Sequence, residues 1–189
     1  MRGRASATLS LPLDPAAMTR TDDRAFAELL LTYAPSLRRL CALYESNAAD
    51  RDDLMQEIAF ALWRALPTFR GECSERTFVF RVAHNRVLTY RFRRRLPTTS
   101  LAEADELPDP DGHADAAAER ASERERLVLA VRRLPERLRE PVALRLEGLS
   151  DREIAGVLGI SEGNVAVRLT RARQALRPLL EPRTPRQVP

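Results

Sequence analysis

The sequence contains no lysine, and aromatic residues and glycine are scarce. All 31 basic residues are arginines, against 27 acidic residues, and the sequence pI is about 9.8. Aromatic residues make up 5% of the chain and there are only 7 glycines, so a helical fold is favoured over a sheet. Because the planar guanidinium group matches phosphate oxygens, this composition favours a polyanionic partner, nucleic acid before membrane.

Metal-binding and targeting patterns are also missing. Cys41, Cys73, His84 and His113 are far apart in the sequence and form neither a metal-ligand pattern nor a disulfide framework, which favours a reducing, cytoplasmic setting. The apolar run near the N-terminus is short and is interrupted by Pro12, so it fails as a signal peptide. No window approaches the roughly 20 apolar residues of a membrane span. We therefore expect no metal, no cofactor and no membrane insertion.

Charge divides the chain into two halves. Between Pro97 and Glu123, eight acidic residues face one arginine, which is typical of a flexible linker. Apolar residues recur with helical periodicity on both sides of it, with an expected break or kink at Pro35. The sequence therefore predicts an all-α protein of two small modules. The predicted segments are a disordered tail (1–22), an N-terminal helical module (23–96), the acidic linker (97–123), a C-terminal helix-turn-helix module (124–180) and a second tail (181–189).

The C-terminal module carries the pattern of a helix-turn-helix. Ser150 and Glu153 form the S-x-x-E pattern of a capped helix, Gly159 ends that helix, and Ser161 caps the next one. One apolar stripe of the last helix is expected to be buried. It consists of Val165, Leu169, Ala172 and Leu176.

The opposite face of that last helix is predicted to read duplex DNA. A helix fits the major groove, its first turns reach base edges, and flanking arginines neutralise phosphates. Ala166 and Val167 can offer only apolar contact, for example to thymine methyl groups. The alternative is a plain helical hairpin with a solvated arginine face. The predicted DNA-reading residues are Asn164, Ala166, Val167, Arg168, Thr170, Arg171 and Arg173.

A predicted helix of the N-terminal module, from Asp50 to Leu66, is apolar on two sides. Such a helix is either sandwiched within its own bundle, which is the usual arrangement for side chains like Phe60 and Trp63, or offers one side to a partner. The acidic groups at its start also interact favourably with the helix dipole, which needs no partner. The candidate partner contacts are Asp53, Gln56, Glu57, Phe60 and Trp63.

The next predicted helix, from Ser74 to Arg95, interleaves aromatic residues with arginines. Rings and basic groups together hold single strands by stacking and charge. Alternatively, the rings are buried and the arginines are solvated, and for Phe78 we favour the core. The arginines at the end of this helix are too dense to lie together without a counter-charge, which favours nucleic acid. They are Arg91, Arg93, Arg94 and Arg95.

Three stretches resemble the extracytoplasmic-function (ECF) RNA polymerase sigma factors of the sigma-70 family. They are DLMQEIAFALWRALPTFRG, RTFVFRVAHNRVLTYRFRRR and RLPERLREPVALRLEGLSDREIAGVLGISEGNVAVRLTRAR. The resemblance implies a transcription initiation factor that binds core RNA polymerase and directs it to promoters. It also implies that the protein has no catalytic residues and no small-molecule substrate.

The resemblance assigns a role to each module. In the family the N-terminal module binds the β′ clamp helices of the polymerase, here through the five candidate partner contacts named above, and captures the melted minus-ten element. The C-terminal module reads the minus-thirty-five element and docks on the β flap, and an anti-sigma factor is an expected partner. By resemblance, the minus-ten contacts are Arg70, Gly71, Arg76, Arg81, Asn85, Arg86, Arg93 and Arg94.

The chain departs from the family pattern at two places. Phe78 follows Thr77 where the family commonly has tryptophan, and Ala166 and Val167 stand where a basic residue and a serine are frequent.

Two other functions stay open at this stage. One is a stand-alone helix-turn-helix regulator, which would bind duplex DNA without polymerase. The other is a metal-dependent nuclease, although carboxylates at a helix start are more often dipole partners. Its candidate ligands are Asp50, Asp52, Asp53 and Glu57.

Overall fold

The computed structural model describes residues 20–95 and 116–181, with side chains for residues 24–94 and 122–181. Every regular element in these ranges is helical, which confirms the predicted all-α fold. The helices in chain order are α1 (Arg20–Ala42), α2 (Ala48–Ala65), α3 (Glu75–Arg95), α4 (Ala116–Arg132), α5 (Glu136–Leu146), α6 (Asp151–Leu158) and α7 (Glu162–Leu180), with a 3₁₀ turn (Leu66–Thr68) after α2.

The helix boundaries differ from the sequence expectation in three places. α1 begins inside the range 1–22 expected to be a tail, and α4 begins inside the range 97–123 expected to be a linker; the rest of both ranges lies outside the described residues. The expected break at Pro35 is wrong, because α1 runs through it. Proline removes one backbone hydrogen bond, but the buried Leu29 and Leu37 anchor α1 on either side of it.

The N-terminal module consists of α1, α2 and α3. Asn47 caps α2, because its side-chain oxygen accepts a hydrogen bond from the backbone N–H of Ala49 at 2.8 Å and so satisfies one donor that the first turn leaves without a partner. Phe80 of α3 is 1% exposed and meets Tyr33 of α1 edge-on, with ring centroids 6.4 Å apart. The apolar positions of α2 and α3 that fill this core are Leu54, Ile58, Leu62, Val79, Phe80, Ala83 and Val87.

The C-terminal module consists of α4 to α7 and ends in the predicted helix-turn-helix. Ser150 and Glu153 form a reciprocal capping box at the start of α6, Gly159 ends α6 with φ of 66°, and Ser161 caps α7. Glycine suits this left-handed position because it has no Cβ to clash. The predicted apolar stripe of α7 is buried in full, as Val165, Leu169, Ala172 and Leu176.

The two modules pack against each other through α3, which nothing in the sequence predicts. The buried Thr77 lies opposite Gly156 of α6, where a Cβ would stand 3.5 Å from its Cγ2 atom. Arg81 donates through Nε to the carbonyl of Gly156 at 3.1 Å. One face of α3 therefore closes the core of its own module, and a second face holds the C-terminal module.

Arginines also join the modules at the end of α1. The Arg39 guanidinium makes two hydrogen bonds to the Glu147 carboxylate, at 3.0 and 2.6 Å. Arg132 of α4 donates to the carbonyls of Ala42 and Glu45, each at 2.8 Å. The last carbonyls of a helix have no partner within it, so an arginine of the C-terminal module completes the end of α1.

Candidate functional site

Two of the three polar candidates for partner binding on α2 are exposed, and the third is held in an ion pair with α3. Asp53 and Gln56 are exposed. Glu57 is part-buried, because its carboxylate forms an ion pair with Arg86 of α3 at 2.7 Å and lies 4.0 Å from Arg93. Glu57 therefore holds α2 against α3, and of the three polar candidates Asp53 and Gln56 are the ones that a partner can reach.

An apolar groove lies between α1 and α2. Phe60 is 52% exposed, so the interior position favoured for it from the sequence is wrong. It stacks on Trp63, with ring centroids 5.8 Å apart and an angle of 22° between the rings. Both rings line a groove of about 370 Å³ together with Ala59 and two residues that the sequence analysis missed, Phe26 and Leu30 of α1. Phe26 and Leu30 are four residues apart and so lie on one face of α1, and this spacing is the sequence pattern that could have identified them.

The loop before α3 has a defined shape. Pro67 lies in the 3₁₀ turn at its start, and Gly71 has φ of 75°, a conformation that favours glycine. The ring of Phe69 packs against Phe78, with centroids 4.6 Å apart. Phe78 is thus partly buried, in agreement with the expected core role, while Arg70 on this loop is exposed.

The predicted minus-ten residues on α3 do not share one surface. Arg76 donates through Nη2 to the carbonyl of Glu147 and Arg81 donates to that of Gly156, so both point to the C-terminal module. Arg86 points to Glu57 of α2. Asn85 is exposed on the remaining outer face.

The arginines at the end of α3 have counter-charges, so the argument that their density requires nucleic acid is wrong. Arg91 pairs with Glu136 of α5 at 2.8 Å. Arg94 pairs with Asp50 of α2 at 2.5 Å and donates to the Tyr90 hydroxyl at 3.1 Å. The hydrogen bond from Arg94 to Asp50, followed by that to Tyr90, raises the pKa of Arg94. Arg93 is more accessible, and the side chain of Arg95 lies outside the described residues.

Two apolar side chains lie on the outward face of α7 near its start. Ala166 and Val167 are exposed, Val167 by 49%. Arg168 turns away from this face, because it donates to the Asn164 side chain at 2.9 Å and lies 3.8 Å from the Glu140 carboxylate of α5. The side chain of Thr170 donates to the backbone carbonyl of Ala166, one turn earlier in α7. Among the predicted DNA-reading residues, Arg171 and Arg173 are exposed charges.

The candidate nuclease carboxylates do not form a metal site. Asp50 is bound to Arg94 and Glu57 to Arg86, while Asp52 and Asp53 are exposed. Among the side chains of residues 24–94 and 122–181, no three His, Cys, Asp or Glu groups are arranged as metal ligands. The carboxylates at the start of α2 thus serve its packing and its dipole.

A histidine is buried where the modules meet. His84 of α3 is 6% exposed, and its Nε2 lies 3.9 Å from the Glu140 carboxylate. Desolvation lowers the pKa of His84 to about 4, and the negative charge of Glu136, which acts to raise this pKa, offsets only part of the effect. Burial raises the pKa of Glu140. His84 is therefore neutral at pH 7 inside the folded protein.

We expect His84 to make the fold sensitive to acid. Its pKa is about 4 when folded and about 6.5 when unfolded, so between these values the unfolded chain binds the extra proton and stability falls as pH falls. The loss from pH 7 to pH 5 is about 1 to 2 kcal/mol from this group. Glu140 acts in the opposite direction, because its raised pKa favours the protonated folded state at low pH.

Urea denaturation of the wild type and of the His84→Gln variant at pH 7 and pH 5 measures this effect. The variant is expected to lose less stability between the two pH values, since glutamine does not titrate. An equal loss in both proteins would contradict a role for His84.

Two families match the two modules in turn. Residues 29–96 match Sigma-70 region 2, and residues 124–176 match Sigma-70, region 4. Over 174 residues the chain is 35% identical to the RNA polymerase sigma-H factor of Pseudomonas aeruginosa, covering 86% of this chain and 90% of the relative. The ECF RNA polymerase sigma-E factor of Escherichia coli K12 is 31% identical over 174 residues, covering 85% and 89%.

The chain belongs to the ECF RNA polymerase sigma factors. Solved structures agree with this. CnrH, in complex with the cytosolic domain of CnrY, has a TM-score of 0.63 at 28% identity and covers 86% of this chain and 91% of its own. RpoE of Bartonella quintana, in complex with the anti-sigma factor NepR, has a TM-score of 0.65 at 21% identity, covering 85% and 99%, and supports the fold.

This sigma factor is a transcription initiation factor that directs RNA polymerase to promoters. The two family regions occur together and in order, so the stand-alone regulator is not favoured. Within the described residues, no helix has the length and apolar composition needed to cross a membrane.

Proposed function

We propose that the two modules of this sigma factor divide promoter recognition between them. The N-terminal module binds core RNA polymerase and captures the melted minus-ten element, and the C-terminal module reads the minus-thirty-five element and docks on the β flap. Two features of the same chain support this proposal. An open apolar groove lies between α1 and α2, and the outward face of α7, which is predicted to read DNA, is exposed.

The groove between α1 and α2 is the proposed site for the β′ clamp helices. Phe60 and Trp63 supply the aromatic area that dominates many interfaces. Asp53 and Gln56 supply exposed polar groups on the same helix. An anti-sigma factor would inhibit most directly by covering the same rings, because an exposed apolar patch serves one partner at a time.

The loop around Gly71 and the outer face of α3 are the proposed site for the melted minus-ten strand. Arg70 on the loop and Asn85 and Arg93 on α3 are exposed, so they reach a strand without rearrangement. Extruding a base costs a few kcal/mol, which polar loop groups and nearby positive charge offset. Arg76, which donates to the carbonyl of Glu147, joins this site only when it leaves the C-terminal module, whereas Arg81 stays exposed while its Nε donates to the carbonyl of Gly156.

The first turns of α7 are proposed to read thymine methyl groups. Ala166 and Val167 present methyl groups without donors or acceptors, and apolar contact in the major groove distinguishes thymine. Arg171 and Arg173 reach phosphates, which position the helix rather than specify sequence.

Replacing Ala166 by arginine tests this assignment. Ala166→Arg adds a cation at the start of α7, so binding to the minus-thirty-five duplex is expected to depend more steeply on salt, with the slope of log K against log [salt] steeper by about 0.9. Fluorescence anisotropy of a labelled duplex at several salt concentrations gives the slope. Ala166→Gln controls for side-chain size, and equal slopes for the arginine and glutamine variants would rule out a phosphate near this position.

We propose that this sigma factor has no enzymatic activity of its own, because its role is to complete the polymerase, which carries the catalytic site. It acts in the cytoplasm, where the reduced state of Cys41 and Cys73 is maintained.

Run-off transcription with bacterial core RNA polymerase tests the proposed function. A genomic promoter library is transcribed with and without the protein, and new discrete start sites that share two upstream boxes are expected. Specific duplex binding by the protein alone, with no new start sites, would instead favour a stand-alone regulator.

A further inference from the structure

We propose that Glu140 and Arg168 fix the orientation of the Asn164 side chain, so that Asn164 reads a base through its amide N–H groups and selects guanine over adenine and cytosine. Asn164 is thus a specificity-determining residue, and Glu140 and Arg168 are positioning residues. This inference rests on the proposed reading of the minus-thirty-five duplex by α7.

The side chain of Asn164 is available for reading DNA. The Ser161 hydroxyl caps α7 by accepting a hydrogen bond from the backbone N–H of Asn164 at 3.2 Å, so the Asn164 side chain is not needed as a cap. Ala166 and Val167 have no polar side-chain atoms. Among the predicted DNA-reading residues near the start of α7, Asn164 is therefore the exposed one that can hydrogen-bond a base edge.

The Asn164 amide has one permitted orientation beside Arg168. Nε of Arg168 lies 2.9 Å from Oδ1 of Asn164. A guanidinium group has N–H donors and no acceptor, so the amide oxygen must be the atom that faces it. The oxygen and nitrogen of the amide lie on opposite sides of Cγ, so Nδ2 points away from Arg168. Because Asn164 is exposed, the N–H donors of Nδ2 are left for a partner.

Arg168 is itself held by a carboxylate of α5. Its side chain is 22% exposed, and Nη1 lies 3.8 Å from Oε2 of Glu140, which is 14% exposed. Oε1 of the same carboxylate lies 3.9 Å from Nε2 of His84, which is neutral at pH 7 because burial lowers its pKa to about 4. The negative charge of Glu140 therefore acts on Arg168. Through Arg168, α5 sets the orientation of a base-reading side chain on α7.

An asparagine held in this way reads bases differently from a free one. A free asparagine pairs with adenine through two hydrogen bonds, in which Oδ1 accepts from the adenine amino group and Nδ2 donates to N7. With Oδ1 bound to Arg168, the first of these bonds is lost. Guanine presents two adjacent acceptors, O6 and N7, and cytosine presents an amino donor. The fixed N–H donors of Asn164 therefore favour guanine over adenine and disfavour cytosine.

Binding of base-substituted duplexes tests the inference. The probes are the minus-thirty-five duplex of a promoter found by run-off transcription, and duplexes in which each of its base pairs is replaced in turn by the other three. Competition against the labelled parent duplex gives relative affinities for the protein assembled with core polymerase. The Asn164→Ala variant identifies the base pair that Asn164 reads, because the preference at that pair is expected to disappear.

At that base pair the wild type is expected to bind guanine at least about fivefold more tightly than adenine, which is the lower end of the discrimination that a well-placed pair of hydrogen bonds gives. A preference for adenine or cytosine there would overturn the inference. So would an Asn164→Ala variant that keeps the wild-type preference at every base pair.

The Arg168→Met variant tests the positioning of the amide. Methionine keeps an unbranched side chain and removes the donors, so Oδ1 is free to pair with adenine. The ratio of guanine to adenine affinity is expected to fall by at least about fivefold. Arg173→Met, which removes an exposed arginine of the same helix, is the matched control: it is expected to weaken all duplexes and leave the ratio unchanged. A wild-type ratio in Arg168→Met would overturn the inference.

The Asn164→Asp variant keeps the inference testable if Arg168→Met fails to fold, which circular dichroism shows. One carboxylate oxygen faces Arg168, as Oδ1 does in the wild type, and the other takes the place of Nδ2. The group that faces the base thus changes from donor to acceptor. The preference is expected to move from guanine to cytosine, whose amino group donates to a carboxylate. Continued preference for guanine would contradict the orientation of the amide.

The Glu140→Gln variant tests the contribution of α5. It removes the charge and keeps the side-chain size, and the ratio of guanine to adenine affinity is expected to fall by about twofold, the scale of a partly exposed ion pair. A purely structural role would weaken all duplexes equally. Glu147→Gln, which removes a buried carboxylate charge paired with Arg39, is the matched control and should keep the wild-type ratio. The same result for Glu140→Gln would overturn the role of Glu140.

The inference and the proposed function fail separately. If run-off transcription gives no new start sites, a duplex selected from a random pool by the protein alone replaces the promoter probe. The expected ratios of the variants on that duplex would mean that the proposed function is wrong and the orientation of Asn164 stands. New start sites, together with wild-type preferences in Arg168→Met and Asn164→Asp, would mean that the proposed function stands and the inference is wrong.

Discussion

The Phe60→Ala variant is expected to bind core RNA polymerase at least about thirtyfold more weakly than the wild type. Its ring is 52% exposed and stacks on Trp63 over the groove between α1 and α2. Aromatic residues at the centre of an interface commonly cost 2 kcal/mol or more when truncated, which corresponds to this factor. Titration of fluorescently labelled core polymerase measures the affinity directly.

Phe92→Ala is the matched control for that experiment. Phe92 is also an exposed phenylalanine, at 66%, but it lies on α3 and does not line the groove. Its polymerase affinity is expected to match the wild type. Thermal denaturation of Phe60→Ala should show that the fold is retained, because the ring contributes little to the core. Equal affinities for the wild type and Phe60→Ala would place the polymerase site elsewhere.

The Phe80→Ala variant is expected to lose about 3 to 5 kcal/mol of folding stability. Phe80 is among the largest fully buried side chains, at 1% exposed, and it contacts Tyr33 edge-on. Truncation removes the ring from a close-packed interior and leaves a cavity that its neighbours fill only in part. Since domains are commonly stable by about 5 to 15 kcal/mol, this loss removes most of the stability of a domain at the lower end of that range.

Urea denaturation followed by circular dichroism measures that loss, and Phe92→Ala again supplies the comparison. An exposed phenylalanine should change stability by no more than about 0.5 kcal/mol when truncated. A small loss for Phe80→Ala, similar to that of Phe92→Ala, would contradict its place in the core.

The elements that were predictable from the sequence depend on local spacing. Ser150, Gly159 and Ser161 mark helix ends through bonds to residues within one turn, and the stripe of α7 follows from 3.6 residues per turn. Such signals need no knowledge of the rest of the chain. The caps of the helix-turn-helix and the buried stripe of α7 were therefore predicted residue by residue, whereas Arg168 turns from the expected outward face towards Glu140.

The partners of charged and apolar faces were not predictable in the same way. Periodicity indicates that α2 has two apolar faces but not which of them is covered, so Phe60 was placed in the core. The counter-charges of Arg91 and Arg94 are Glu136 and Asp50, which are remote in sequence. Contacts of this kind depend on how the modules pack, and no local pattern encodes that.

The packing of the two modules against each other was not predictable for a further reason. A linker of the expected length restrains two modules without fixing their orientation, so the sequence does not show that Gly156 meets Thr77. The acceptors of Arg76 and Arg81 are backbone carbonyls, which every residue possesses. A side chain that binds main-chain atoms therefore leaves no recognisable partner in the sequence.

The continuity of α1 links the two ends of the N-terminal module. Phe26 and Leu30 line the groove near its start, while Arg39 and Ala42 contact the C-terminal module near its end. A helix of 23 residues is about 35 Å long and transmits a displacement along its axis as a stiff rod. Pro35 lies between the two sets of residues and weakens the rod there. A protein bound in the groove contacts the start of α1. Bending at Pro35 is therefore the least costly way for such a protein to move the end of α1 relative to its start.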